Sequence, residues 1–527
     1  MAQLLDIFGF ISVVLRGLSL SFEALTVGGV IFLLVVFRSE AALRALPWFA
    51  GLLAIVQVCN VGLNGAILAG TTGMNWTEVA GAGFCISGAL MVTGAAGIVA
   101  FARTRPARAA YLIACLLISA GSVMNSHSIA RVEHRWIAVS FTALHHLAGA
   151  AWIGGLFYLL ITLRQLPDPW AGARITQRFS RLAIFSVASV AAAGIALTFL
   201  FIGSPAALVG TTYGAMLIAK VVLTGTLLLL GALNLRIVRA TRAGGKPAIL
   251  PLRRFAEAEL GIGFTVLLAA ASLTSVPPAI DVQQDLVSAP QILVRMKPIW
   301  PGMQTPSFSE LSPASSLHPP EDPRLPRSFV PGQLSKPDTP ADIAWSEYNH
   351  HWAGLVVAAI GILSLLARRF RWARMWPLCF LGLATFLLIR ADSENWPLGP
   401  RGFWESFQVA EVAQHRFFVL LIILFALFEW AVQTGRISPN RAGLVFPLVC
   451  AAGGAALLTH SHSLGNVKDE FFAELSHLPL AIFAVFAGWS RWLEIRLPPK
   501  GREYFVSWIW PVCFLMIGAI LLSYRES

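Results

Sequence analysis

The chain has 527 residues, of which 56% are apolar and only 13% are charged, and its mean hydropathy is +0.70. Soluble domains carry about 25% charged residues, so this composition excludes a soluble enzyme and a disordered chain. The formal net charge is +12, yet a chain this apolar is not a nucleic-acid-binding protein, and its basic residues need another explanation.

Apolar stretches long enough to cross a bilayer, about 20 residues each, recur along the whole chain. Hydrocarbon offers the backbone no hydrogen-bond partners, so only helices and closed barrels cross it, and continuous apolar runs favour helices. The sequence therefore predicts an all-α, polytopic transmembrane helical bundle with about fourteen spans, eight before a long connection and six after it. The predicted spans are 14–37, 49–70, 80–102, 109–125, 136–163, 180–202, 212–235, 258–278, 351–367, 373–390, 414–434, 442–460, 471–490 and 504–523.

A proline-rich connection separates the two groups of spans. It includes the run LHPPEDPRLPRSFVPGQLSKPDTP, and proline in a helix interior removes a hydrogen bond and clashes with the preceding turn. The predicted organisation is a first transmembrane domain at 1–278, an extended external connection at 279–350 and a second transmembrane domain at 351–527.

The basic residues indicate the orientation of the spans. Most of the 39 lysines and arginines fall in alternate loops, such as 164–181, 236–254 and 368–374. The positive-inside rule places these loops in the cytoplasm and both termini on the outer side. The net charge is then a consequence of topology and needs no anionic partner.

The eleven histidines all fall, in this topology, on the outer side or in the outer part of a span. Neutral imidazole is the commonest metal ligand in proteins and suits copper and zinc. We therefore predict metal binding at the outer side, assisted by glutamate and by methionine, whose thioether sulfur suits Cu(I). The predicted histidine ligands are His127, His145, His146, His350, His351, His415, His460, His462 and His477.

Two glutamates are spaced to share a helix face with a histidine. Glu474 precedes His477 by three residues, and Glu411 precedes His415 by four. The first pair would face the short His460-x-His462 motif across a turn. Polar residues at the ends of membrane helices are the alternative interpretation of these side chains.

Two ionisable residues lie inside predicted spans, where such residues are functional hypotheses by default. Lys220 either has a functional role or extends its amine towards the membrane interface. Glu23 is either its counter-ion or an acidic metal ligand, and the sequence leaves these alternatives open.

Two motifs carry a resemblance to a known family. The run HHLAGAAWIGGL at 145–156, whose small residues allow close approach of another helix, is followed by YGAMLIAKVVLTGTLLLLGALNLR at 213–236. Together they resemble the copper-resistance protein D (CopD) family of bacterial inner-membrane proteins, over the first eight spans. The matching positions are His145, Gly149, Trp152, Gly154, Gly155, Tyr213, Gly214, Leu217, Lys220 and Asn234.

The resemblance implies a protein that transports or handles copper across the bacterial inner membrane and is not an enzyme. The ion would be captured on the periplasmic side, where both termini lie, and a periplasmic copper-binding protein is an expected partner beside the lipid bilayer. Two alternatives stay open: a haem-binding membrane cytochrome or quinol-linked oxidoreductase, with haem held by paired histidines, and an assembly factor that delivers copper to a respiratory enzyme.

Overall fold

The computed structural model describes residues 2–104, 108–306, 340–390, 395–399, 401–408, 410–459, 467–497 and 502–526. Within these ranges the regular secondary structure is helical, apart from an isolated bridge between Asn395 and Arg401. The predicted all-α fold class is confirmed.

Thirteen helical segments in the described ranges are long and apolar enough to cross a membrane. A further apolar helix, Arg108–Met124, has 17 residues and is roughly 25 Å long at 1.5 Å per residue, close to the thickness of a hydrocarbon core. The chain is therefore a multi-pass membrane protein, and these segments correspond to the predicted spans.

The chain forms two compact units, residues 1–286 with 458–463, and residues 287–457 with 464–527. The helices of the first unit are α1 (Ala2–Ile31), α2 (Glu40–Thr72), α3 (Trp76–Val79), α4 (Gly83–Thr104), α5 (Arg108–Met124), α6 (His127–Ala130), α7 (Arg135–Gly149), α8 (Gly155–Gln165), α9 (Pro169–Ile202), α10 (Pro205–Gly210), α11 (Thr212–Arg242) and α12 (Ile249–Leu273). Those of the second unit are α13 (Ala289–Arg295), α14 (Pro340–Leu366), α15 (Cys379–Arg390), α16 (Ala410–Gln433), α17 (Pro439–Ala442), α18 (Val445–Leu457), α19 (Val467–Arg496) and α20 (Ile509–Leu522).

Three spans form the centre of the first unit. The most apolar windows of α1, of α7 with α8, and of α12 are 61%, 72% and 61% buried, whereas α9 and α11 bury only 17% and 28%. Outer helices of a membrane bundle face lipid with apolar side chains, so polar groups are concentrated on the central ones. Any buried polar site of this unit is therefore expected on α1, α7, α8 and α12.

A π-helical segment, Ala150–Gly154, joins α7 to α8 and crosses α1 in direct backbone contact. A β-carbon at Gly154 would overlap the carbonyl oxygen of Ala24, and one at Gly28 would overlap that of Ala150. Glycine is required at both positions because no side chain fits between the two helices. Gly149 of the same run has open space around it, so among the small residues of 145–156 it is Gly154 that lies against the neighbouring helix.

The connection between the two groups of spans contains helical structure, contrary to expectation. A 3₁₀ segment spans Ala279–Asp285, α13 follows, and α14 already begins at Pro340. Proline is tolerated in the first turn of a helix, where its missing N–H has no intrahelical partner. Ser288 and Gln291 form a capping box at the start of α13, which offsets the short length of that helix. Residues 307–339, with most of the proline-rich run, lie outside the described residues.

Candidate functional site

Within each unit, the described histidines and the basic segments occupy different parts of the helices along the chain. In the first unit, His127 and His134 lie between α5 and α7, and His145 and His146 lie on α7, before the basic segments 164–181 and 236–254. In the second unit, His350, His351, His415 and His477 lie in the first halves of helices whose last residues adjoin Arg368, Arg436 and Arg496. His318, His460 and His462 lie outside the described residues.

Three side chains from three helices form a hydrogen-bonded chain in the centre of the first unit. Ser122 of α5 donates from Oγ to Oε2 of Glu23 of α1 at 2.6 Å. The same Oγ lies 3.1 Å from Nδ1 of His146 of α7. The residues Glu23 and Ser122 each expose 4% of their surface, so these hydrogen-bonded side chains lie within the helical core.

The order of donors in this chain fixes the state of the imidazole. When Glu23 is ionised, its carboxylate only accepts, and the single hydroxyl proton of Ser122 is used on Glu23. The lone pairs of Ser122 Oγ then accept from Nδ1–H of His146, which puts the lone pair of the neutral ring on Nε2. Within the described residues, the hydrogen bond of the His146 ring is made through Nδ1. Metal-binding histidines are oriented in this way, with the second ring nitrogen donating to a carboxylate or a neighbouring oxygen.

Two further polar side chains border this chain. Arg16 lies two turns before Glu23 on α1, and its Nη2 donates to the carbonyl oxygen of Asn125. Burial lowers the pKa of His127 below its usual range, and the charge of Arg16 lowers it further. The buried Nε2 of His127 has no hydrogen-bond partner among the described residues.

His145 faces a different neighbour from His146, because successive residues of a helix point about 100° apart. Its Nδ1 lies 3.2 Å from the carbonyl oxygen of Val190 on α9, which accepts the ring proton, and Gly194 leaves room for the ring. The two adjacent histidines are thus not brought to one site. No ion pair within 4 Å joins Lys220 and Glu23, both described residues, so the counter-ion hypothesis for Glu23 is not supported.

Among the described residues no group of three or more histidine, cysteine, aspartate or glutamate side chains is arranged to hold a metal ion. The predicted ligands are therefore not gathered into one preassembled multi-donor site in that part of the chain. The arrangement closest to metal-site chemistry in the first unit is His146, with Ser122 and Glu23 orienting its ring.

In the second unit, His351 is engaged on both ring nitrogens. Gly302 N–H donates to Nδ1 at 2.9 Å, and Nε2–H donates to the carbonyl oxygen of Tyr524 at 3.0 Å. His350 donates from Nδ1 to the carbonyl oxygen of Ser346 at 2.8 Å, and its ring stacks on Tyr524 with centroids 3.9 Å apart. A metal-binding role for His351 would require both of its hydrogen bonds to break.

The remaining predicted ligands, on α16, on α19 and in the His460-x-His462 motif, are only partly described. Glu474 of α19 is 1% exposed, and its Oε1 has no hydrogen-bond partner among the described residues. His477, one turn later, places Nδ1 2.7 Å from the carbonyl oxygen of Ala473. His415 lies on α16, and the side chain of Glu411 lies outside the described residues, as do His460 and His462. The arrangement of this set stays a prediction.

A second buried carboxylate, Glu259 of α12, was not identified from the sequence. Its Oε1 accepts from Nε1 of Trp152 at 2.9 Å, and its Oε2 accepts from Nδ2 of Asn234 at 3.1 Å. Trp152 and Asn234 are positions of the CopD resemblance, so their shared partner could have been sought among nearby glutamates. Arg16 and Ser122 were also missed. The spacing of Arg16 and Glu23, seven residues apart on one helix face, was the available signal for Arg16.

We expect Trp152→Phe to lower the free energy of unfolding by about 1–3 kcal/mol, because it leaves Oε1 of buried Glu259 without its donor. Thermal unfolding in detergent measures the change. Trp170→Phe, at a 50% exposed residue of α9, is the matched control and should unfold like the wild type. Equal losses in both variants would show that the Trp152–Glu259 hydrogen bond contributes no stability of its own.

Comparison with known proteins agrees with the resemblance found in the sequence. Residues 173–273 match the family model for copper resistance protein D. The chain is 31% identical over 149 residues to the copper transport protein CutJ of Bacillus subtilis (strain 168), a match that covers 28% of this chain and 26% of that relative. The chain thus matches about a quarter of the length of this curated relative, and no solved structure matches. Residues 173–273, which hold Lys220, Asn234 and Glu259, are thus similar to the copper resistance protein D (CopD) family.

Proposed function

We propose that this protein handles copper in the membrane and that its first unit binds the ion through Nε2 of His146. The observation that carries the proposal is the buried Glu23–Ser122–His146 chain, which leaves this nitrogen as a free lone pair. Imidazole suits copper, and the family region and the relative named as a copper transport protein support the choice of metal.

The buried carboxylate gives the site a charge suited to a cation. Glu23 accepts from Ser122 in the core of the unit, and a buried charge is tolerated only when it is compensated. Arg16 supplies a positive charge on the same helix, and one of its N–H groups donates to the carbonyl oxygen of Asn125. A copper ion on His146 would add positive charge beside Glu23 and strengthen the Nδ1–H donation that orients the ring.

Capture of copper on the periplasmic side is part of the proposal. The site lies in the half of the first unit away from the basic segments 164–181 and 236–254. If these segments are cytoplasmic, as the positive-inside rule implies, His146 is reached from the periplasm of a bacterial inner membrane, and both termini lie on that side. A periplasmic copper-binding protein is then the natural donor of the ion.

Copper accumulation in vesicles tests this function. Vesicles that contain the purified protein should accumulate copper above protein-free vesicles, and metal analysis should find copper bound to the protein. Copper binding without accumulation would favour delivery to an assembly partner over transport. A Soret band in the absorption spectrum, with no bound copper, would overturn the proposal in favour of a haem protein.

The predicted ligands of the His460-x-His462 motif have a separate test. We expect His460→Ala/His462→Ala to reduce copper accumulation, because these two imidazoles are proposed to capture the ion. His134→Ala, at an exposed histidine, is the matched control and should transport like the wild type. Normal accumulation by the double variant would exclude a capture site at this motif and leave the His146 site untouched.

A further inference from the structure

A crevice of about 420 Å³ opens in the first unit between α9 and α11, with α12 at its base. Its walls are apolar, and two of its lining residues, Ile184 and Leu228, are 54% and 44% exposed. All three helices are membrane spans, so the crevice opens towards hydrocarbon. Its volume lies within the range of about 300–1,000 Å³ that is typical of small-molecule sites.

Hydrogen-bond acceptors line the inner end of this crevice. Glu259 and Asn234 both line it, and the Asn234 amide donates from Nδ2 to the Glu259 carboxylate. Because a carboxylate only accepts, this bond fixes the amide orientation and leaves Oδ1 of Asn234 as a buried acceptor without a partner among the described residues. Gly231 also lines the crevice, and a β-carbon there would stand 3.6 Å from Oε1 of Glu259. No side chain at this position separates the carboxylate from the crevice.

We propose that this crevice binds the head group of a lipid-soluble quinol, a flat ring with two hydroxyl donors and a hydrocarbon tail. The hydroxyls donate to Oδ1 of Asn234 and to the Glu259 carboxylate. The ring packs against Trp152 and Phe179, which line the same space, and the tail leaves past Ile184 and Leu228 into the bilayer. This proposal is independent of the copper function, since His146 does not line the crevice.

The lining discriminates against the other abundant lipophilic molecules of a membrane. No lysine or arginine lines the crevice, so a phospholipid phosphate would face the Glu259 carboxylate without a cation. The oxidised quinone offers only carbonyl acceptors, which would oppose Asn234 Oδ1 and the carboxylate. An unsatisfied buried acceptor is costly, so the quinone is expected to bind at least about tenfold more weakly than the quinol.

Binding of a decyl-tailed benzoquinol and of its quinone to the full-length protein in phosphatidylcholine nanodiscs tests the proposal, with protein-free nanodiscs as background. The wild type should bind one quinol per chain, in preference to the quinone. Gly231→Leu fills the crevice and should lose this binding. Gly225→Leu is the matched control, since Gly225 lies on the same helix with open space at its β-carbon, and it should bind like the wild type.

Ile184→Trp narrows the exposed mouth and should weaken binding even if Gly231→Leu does not fold. Quinol binding that survives in Ile184→Trp and in folded Gly231→Leu would overturn the proposal, as would equal affinity for quinol and quinone. A phospholipid that co-purifies with the wild type and is displaced in these variants would assign the crevice to lipid instead. Copper binding should be unchanged in all of these variants, which separates this test from that of the copper site.

Discussion

His146→Ala is expected to weaken copper binding by the first unit more than about 100-fold, because it removes the proposed ligand itself. Ser122→Ala is expected to weaken it by about 10–100-fold, the range seen when a hydrogen-bond partner of a metal-binding histidine is removed. In that variant Nδ1 of His146 loses the oxygen that accepts its proton, so the ring no longer has a fixed tautomer. Competition with a chromogenic copper chelator measures both affinities, with His460→Ala/His462→Ala as the common background so that copper binding at the His460-x-His462 motif does not mask the loss.

The two variants separate the ligand from the residue that positions it. Ser122→Thr keeps the hydroxyl and should restore most of the affinity, which a purely steric role for Ser122 would not explain. His134→Ala again serves as the control. If His146→Ala loses copper binding and Ser122→Ala keeps it, His146 is supported as the ligand, but a role for the hydrogen bond from Ser122 is excluded. Wild-type affinity in both variants would exclude the site altogether.

Gly154→Ala is expected to lower the free energy of unfolding of the first unit by about 3 kcal/mol or more. The new methyl group would overlap a main-chain oxygen of α1, and backbone cannot move aside as a flexible side chain can. Separation of the two helices would also pull Glu23 away from Ser122 and His146. The variant should therefore lose copper affinity together with thermal stability.

Gly149→Ala is the matched control for this prediction, since Gly149 is five residues away with open space at its β-carbon. Alanine is favoured over glycine in a helix by up to about 1 kcal/mol, so this variant should unfold at the same temperature as the wild type or higher. Thermal unfolding in detergent compares the three proteins. A Gly154→Ala protein as stable as Gly149→Ala would show that α1 and the π-helical segment can move apart without loss of stability.

The spans could be predicted from the sequence because each one is encoded locally by its own apolar run. The short helix α13 could not, because the abundance of proline nearby suggested an extended chain, whereas Pro290 falls in a first turn where proline fits. The exact point of contact between helices was also missed. Small residues at a regular spacing show that a close approach is possible, but they do not identify which of several glycines lies against the neighbouring backbone.

Two residues of the candidate site were predicted from the sequence, but the contacts that join them were not. Glu23 and His146 were both identified, since charged and imidazole groups are conspicuous in apolar runs. Ser122 was not, because serine is ordinary in membrane helices and its importance comes from joining residues 99 and 24 positions away. Such pairings depend on how non-adjacent helices pack, which no periodicity in one chain records.

The π-helical segment Ala150–Gly154 follows His146 and contains Trp152, and it joins α7 and α8 into one continuous helix. A π turn accommodates one residue more than an α turn, so it offsets the angular register of the two halves by roughly 100°, the angle contributed by one residue. An α-helix with one residue fewer has the same register across the segment, so deleting a single residue there would restore an unbroken α-helix and leave the two flanking halves in their present orientation. The extra residue is thus accommodated within one continuous helix, which contributes His146 to the Glu23–Ser122 hydrogen bonds and Trp152 to Glu259.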